Sequence, residues 1–446
     1  MNTAVSETLS TADAHLRAFA TLAPDLPGSG VEWLAALRRD AFKRFEDAGL
    51  PNRRLEAWKF TALDLVQNGA FTPAAAGRAP EAPALPGPED WAARLVFVDG
   101  RLIDGLSDIP ALGDGIILTT LARALEHDPG LIQGHISTAT DAAGALWDLN
   151  AAFMADGAVL HLADGVRLET PISLVFLATG ATGGASHTRN IFTLARGAEA
   201  QVIETYASAG PSAAPAFANA VTDIALAEGA ALTHARVQDQ GPAAVHTARA
   251  VVDVGAEARY ASFALALGAR LSRQETDLAF SAPGGRARLM GAYLGRGRQH
   301  LDHTTRVDHA YPNCETEELF KGVLDDHAHG VFQGLIRVAP KAIGTDARQK
   351  NQALLLSERA VADTKPELEI LADDVKCAHG ASVGDIDADA LFYLMARGLP
   401  EAEARRLLIG GFVGEVIDRF DAGALGEHLH HCVARWQDED AGGDDD

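Results

Sequence analysis

Along the first 67 residues apolar positions recur at spacings of three and four, with Leu34, Leu37, Ala41 and Phe45 on one face of a helix. Gly49 and Pro51 follow in the order that stops a helix, glycine after the last turn and proline beyond it. A second short helix is expected over 53–66, RRLEAWKFTALDLV. Residues 68–90 read as a linker, because Pro73, Pro80, Pro83, Pro86 and Pro88 among alanines and glycines forbid a regular element.

From Trp91 to about 384 the texture changes. Short apolar segments such as ARLVFVDG, GAVLHLA, VRLETPISLVFLA and NIFTLARG are separated by glycine, aspartate or asparagine turns, and no helical period lasts. A loose repeat runs through RGAEAQVIE (196–204), EGAALTHAR (228–236), VGAEARYAS (254–262) and GGRARLMGA (284–292), in each of which a glycine turn opens a short strand. Strands at that interval without helices between them suit a solenoid, each rung burying its face on the next. A parallel β-helix is the expected core. A β-sandwich is the alternative, but this span is large for one. The six-residue pattern of left-handed hexapeptide β-helices is not visible.

After 384 helices return. DADALFYLMARG (387–398) has Asp387 or Asp389 as N-cap and stops at Gly398, and Pro400 opens a helix over 400–420. Leu407, Leu408, Phe412 and Val416 are its expected apolar stripe. Gly410, Gly411 and Gly414 each cost that helix about 1 kcal/mol against alanine, which points to close approach of another backbone. The domain reading is therefore 1–90 helical with a linker, 91–384 β-helix core, and 385–446 helical with an acidic tail.

Composition acts mainly by exclusion. The 446-residue chain is 47% hydrophobic and 22% charged, as in an ordinary soluble protein. A net charge of −23 argues against a nucleic-acid-binding face, which needs clustered Lys and Arg. Part of that charge is QDEDAGGDDD (437–446), read as a solvated disordered end. Three cysteines, at 314, 377 and 432, make no disulfide framework and suit a reducing cytosol. The N-terminus lacks the basic and apolar regions of a signal peptide, and no run approaches the ~20 apolar residues of a membrane span. The expectation is a soluble cytoplasmic protein.

The candidate chemistry starts with Cys377 and His379. In a strand, residues two apart face the same way about 6.5–7 Å apart, so a thiol and an imidazole would present two soft ligands for iron or zinc on one surface. Two ligands cannot close a metal site, so a partner must complete it. Lys376, if close, would lower the thiol pKa. His428, His431 and Cys432 fall at i, i+3 and i+4 of a helix, a further potential metal trio. Cys314 has acids on its C-terminal side that would raise its pKa, so it reads as non-catalytic. Asp302, His303, Asp308 and His309, with His327 and His329 nearby, offer the alternative of a β-helix carbohydrate-active enzyme, although turn-rich β-structure favours Asp and His for conformational reasons as well. No Walker A loop, dinucleotide fingerprint or HExxH helix occurs, so no ATP is expected to bind this chain.

Longer stretches carry a resemblance. NCETEELFKGVLDDHAHGVFQGLIRV (313–338), TDARQKNQALLLSERAVADTKPELEILADDVKCAHGASVGDIDADALFYLMARGLP (345–400) and RRLEAWKFT (53–61) resemble the SufB/SufD family of the SUF iron–sulfur cluster assembly system. Gly380 and the DTKPELEI run (363–370) favour the SufD side, with a SufB-like primary scaffold as the alternative. The resemblance implies a right-handed parallel β-helix flanked by helical domains, acting as a non-catalytic scaffold. It implies a complex with a SufB-like subunit through the β-helix edge and with a SufC-like ABC ATPase through the C-terminal helices, where Gly410, Gly411, Phe412 and Gly414 are the expected docking residues. A homodimer in isolation is also allowed. The cargo it implies is a transient iron–sulfur cluster at the partner interface, with His379 the leading ligand and Cys377 its assistant. The family pattern gives no role to His428, His431 and Cys432.

Overall fold

The computed structural model describes residues 10–74, 85–180, 183–210 and 215–441, with side chains to 438. Pro80 and Pro83 of the expected linker, and residues 442–446 of the acidic tail, lie outside the described residues. Strands alternate along the chain between two ten-stranded sheets, and each strand lies beside the one a full coil earlier. Sheet 1 takes Gly184–Leu194, Phe217–Leu226, Val245–Val254, Leu271–Phe280, His300–His309, His329–Val338 and Val361–Ile370 in spatial order. Sheet 2 takes Ile172–Ala178, Glu199–Ser208, Ala231–Asp239, Arg259–Ala266, Arg286–Gly295, Glu315–Leu324, Asp346–Leu355 and Lys376–Gly384. All of these neighbours pair in parallel. The protein is a parallel β-solenoid with helices at both ends of the chain.

The repeat seen in the sequence is the corner of each rung. Glu199, Ala231, Arg259 and Arg286 stack in register, and two residues before each stands a left-handed residue: Gly197, Gly229, Glu257 and Gly284. Asn313 and Gly344 repeat the device before Glu315 and Asp346. Glycine adopts that conformation freely, so it marks the corners the sequence pattern detects. At the third corner the left-handed residue is Glu257, while Gly255 is needed because a Cβ there would stand 2.6 Å from the Leu226 carbonyl oxygen.

The bore is filled by rows of apolar side chains, among them Tyr260, Phe280, Tyr293, Phe320 and Phe332. The outer faces differ. Sheet 2 presents Ile203, Ala235, Phe263, Met290 and Leu319, which pack under Ile409, Val413, Val416, Phe420, Leu429 and Trp436 of two C-terminal helices. Sheet 1 presents charged pairs, Arg189 with Asp223 at 2.6 Å and Arg273 with Asp302. Trp58 lies over the Arg273 guanidinium at 4.0 Å and donates its indole N–H to the Ala143 carbonyl at 2.9 Å. Thr61 bonds His300 at 2.8 Å, so the RRLEAWKFT stretch pins the N-terminal segment to sheet 1.

Helix α1 spans Thr11–Leu22 and α2 spans Glu32–Ala48, stopped by Gly49 at φ +66°. The helix expected over 53–66 is not continuous: a 3-10 turn, Glu56–Trp58, precedes a separate helix α3, Asp64–Asn68. Two further helices interrupt the region expected to be all strand, α4 over Leu121–His127 and α5 over Ala145–Phe153. At the C-terminal end α6 covers Ala388–Ala396 with Asp387 as N-cap, α7 covers Glu401–Phe420, and α8 covers Ala424–Ala441. The acidic stretch expected to be disordered thus begins inside α8.

Candidate functional site at the open end of the solenoid

The last strand of sheet 2, Lys376–Gly384, pairs only with Asp346–Leu355 and leaves its other edge free. Cys377 stands in register with Ala347, and His379 with Gln349. Ala347 and Gln349 are buried bore residues, and aligned positions on parallel strands point to the same face. Cys377 and His379 therefore share the mouth of the bore, one strand beyond its last filled layer. The thiol is half-buried against the bore's apolar contents, and the imidazole is exposed. Burial raises the Cys377 pKa, the backbone at Ala347 offsets part of this, and Asp346 adds to the rise. Lys376 does not lower it, since alternation along the strand turns the lysine to the opposite face. The free chain keeps a protonated thiol that a metal or partner must deprotonate.

Two residues behind the mouth were not among the sequence candidates. Gln349 donates its amide N–H to Glu318 Oε2 at 2.9 Å, and Thr305 donates to the same oxygen at 2.8 Å. Glu318 is in register with Gln349 on the next strand inward. Burial pushes its carboxyl up to about 7. Glu318 Oε1 and Gln349 Oε1 are buried without a hydrogen-bond partner among the described residues.

The other candidates fall elsewhere. Cys432 Sγ lies 3.5 Å from His428 Nε2, but His431 is exposed, and no group of three or more His, Cys, Asp or Glu poised to hold a metal occurs among the described residues. Burial raises the Cys432 thiol to about 11. Cys314 is buried in the bore, where burial first and Glu257 last raise its pKa. Asp302, His303, Asp308 and His309 do not converge. His303 and His309 point into the bore, against Tyr293 and Phe280, while Asp302 pairs with Arg273 and Asp308 with Arg306 on the outer face. His329 is tied to Asp363 at 2.7 Å. The residues offered for the carbohydrate-active alternative therefore form no common site.

In α7 the buried stripe is Ala404, Ile409, Val413, Val416, Ile417 and Phe420, whereas Leu407 of the expected stripe is exposed. The expected close approach of another backbone to the α7 glycines is not found among the described residues; their neighbours are side chains of the chain's own α8. A Cβ on Gly410 would meet Gln437 at 3.7 Å and one on Gly414 would meet His430 at 3.6 Å, while Gly411 faces open space. Phe412 lies under the Lys321 ammonium at 4.2 Å. The exposed apolar surface is instead on α6 and its neighbour, with Phe392 at 72% and Tyr393 at 56% exposure beside Met395 and Leu407. Gly380–Gly384 spell G-x-S-x-G, although no nucleophile elbow is expected. They run as plain strand without the sharp strand-to-helix turn a nucleophile elbow requires.

Fold and site together describe a solenoid whose thiol–imidazole pair sits at an unpaired edge. Comparison with known proteins gives the family. The family described as "SUF system FeS cluster assembly, SufBD core domain" matches residues 176–412, and "SufBD protein N-terminal region" matches 91–174. The chain belongs to the SufBD family of iron–sulfur cluster assembly proteins. It is 33% identical over 376 residues to the iron–sulfur cluster assembly protein SufD of Escherichia coli, covering 83% of this chain and 85% of the relative. A SufBD family protein of Synechocystis is 32% identical over 396 residues, covering 86% and 87%. SufD of Bacillus subtilis is 27% identical over 417 residues, covering 90% and 94%. The resemblance to the SufD side of the family, drawn from the sequence, holds.

Proposed function

We propose that the chain is a non-catalytic scaffold subunit of a cytoplasmic SUF complex, which joins a SufB-like subunit through the open end of its solenoid. His379 and Cys377 supply two ligands to a nascent iron–sulfur cluster there, and the partner supplies the rest, because soft metal sites of this kind need four. The cluster is cargo, assembled at the junction and passed on. The observation that carries the reading is the placement of both side chains at the mouth of the bore on a strand with a free edge. Docking of a SufC-like ATPase falls to the exposed face formed by Phe392, Tyr393 and Leu407, since Gly410 and Gly414 already face α8. The test is maturation of a reporter iron–sulfur enzyme in cells carrying His379→Ala. We expect maturation to fall at least tenfold with the protein still folded, by the scale on which losing a metal ligand or its support acts. Unchanged maturation removes the site from the proposal.

A further inference from the structure

We propose that Gln349 is a positioning residue for His379: its side-chain carbonyl oxygen accepts the N–H of one imidazole nitrogen and leaves the other nitrogen's lone pair facing the partner subunit. The inference rests on the reading of His379 as an interfacial ligand and deepens it.

The geometry is a ladder of three residues on successive parallel strands, Glu318, Gln349 and His379, aligned in register. Such neighbours lie about 4.8 Å apart, within reach of a long amide and a ring on the same face. Gln349 does not rotate freely. Its amide nitrogen is held inward by Glu318 Oε2 at 2.9 Å, which turns its oxygen away from the carboxyl. Gly334, on the opposite sheet, makes room for the amide: a Cβ there would stand 2.1 Å from Gln349 Nε2 and 2.6 Å from its carbonyl carbon. Gln349 is 2% exposed, and its oxygen has no donor among the described residues. A buried acceptor without a donor is rare in folded proteins. The residue next along the ladder is His379, which makes no hydrogen bond to a described residue and is free to turn toward the mouth.

The chemistry follows from the imidazole itself. When neutral, one ring nitrogen donates and the other accepts, and whichever nitrogen finds an acceptor becomes the donor. A histidine that binds metal needs its lone pair presented at one fixed nitrogen, and an acceptor on the other supplies that. Here the chain of donors runs inward, from imidazole to Gln349 oxygen and from Gln349 nitrogen to Glu318. Glutamine suits the middle place because it both donates and accepts.

The experiment uses the full chain labelled with nitrogen-15 at histidine, with the His379 signals identified by their loss in His379→Ala. NMR should find one His379 tautomer favoured about fivefold to tenfold, the size one hydrogen bond gives. Gln349→Met, similar in shape without an acceptor, should bring the ratio toward that of free imidazole. In the assembled complex Gln349→Met should lower cluster yield about tenfold. It should add nothing in a His379→Ala background, where a purely structural role would still add its own loss. An equal tautomer ratio in wild type and Gln349→Met overturns the proposal. If His379→Ala leaves cluster assembly intact, the functional reading falls and the tautomer ratio still decides this one. If His379→Ala abolishes assembly while Gln349→Met changes neither readout, only the role of Gln349 is lost.

Discussion

The two ends of the solenoid are finished differently. At the N-terminal end each sheet closes with an antiparallel strand: Ile116–Thr120 against Ala158–Leu162 in sheet 1, and Arg101–Leu102 against Ala93–Val98 in sheet 2. Helix α4 and the segment around Ile132 then cover the outer side of that cap in a small apolar cluster with Leu34 and Val159. At the C-terminal end Val361–Ile370 and Lys376–Gly384 have no partner strand on their outer edges among the described residues, and Leu371 and Val383 stand exposed beside them. A sheet edge left bare is a template for pairing, which natural proteins normally block. One end is therefore closed within the chain, and the other leaves its outer strand edges bare among the described residues. The polar ladder Glu318–Gln349–His379 reaches the second end, and a separate buried network, in which Glu204 accepts from Tyr206 and Thr222 and bonds His234, lies deeper in the bore.

Substitutions at the two ends should separate them. Leu160→Ala in the capped end removes a side chain 1% exposed and should destabilise the protein by about 2–5 kcal/mol in urea unfolding, with the same loss whether or not a partner is present. At the open end Glu318→Gln should stabilise, and only in the alkaline direction. The unfolded chain releases this proton near 4.5, whereas the folded protein holds it to about 7. Stability therefore falls as pH rises between those values, and the deficit is complete above the higher one. Removing the ionisation should return about 3 kcal/mol at pH 8 and nothing at pH 4, read from urea midpoints across that range. A variant no more stable at pH 8 than at pH 4, relative to wild type, would show that Glu318 ionises as freely as on the surface.

Val383→Ser and Leu371→Ser should move stability by less than about 0.5 kcal/mol, yet weaken capture of a SufB-like subunit from a co-expressed complex. Equal capture would mean that the free edge is not the contact. Phe392→Ser should be similarly silent in unfolding while reducing co-purification of the ATPase. Retention of the ATPase at wild-type yield would assign docking to another face of the C-terminal helices.

The rungs were legible because their corners need a left-handed residue and glycine usually supplies it, as Gly197, Gly229 and Gly284 do. Where Glu257 took that place, the repeat read from glycine alone came out two residues early, at Gly255. Cys377 and His379 were legible as a pair because strand alternation is local. Gln349 and Glu318 were not, since their relation to His379 depends on which strands stack and in what register. Helix α5 escaped because it is buried on nearly every side, with Leu146, Asp148, Leu149, Asn150 and Phe153 all enclosed, so it has no polar face to give a helical period. The α7 glycines were read as a partner's landing place because the sequence does not say which helix folds back onto them.

The free strand of sheet 1 carries Pro366 at its middle, opposite Gly334 and flanked by Lys365 and Glu367. Proline is accommodated at the margin of a sheet and not within it. If copies of this chain piled head to tail, residue 366 would become an internal position with a missing donor. Fibre growth by endless addition of rungs is thereby discouraged on that side. The strand of sheet 2 carries no proline, so the same obstacle is absent there.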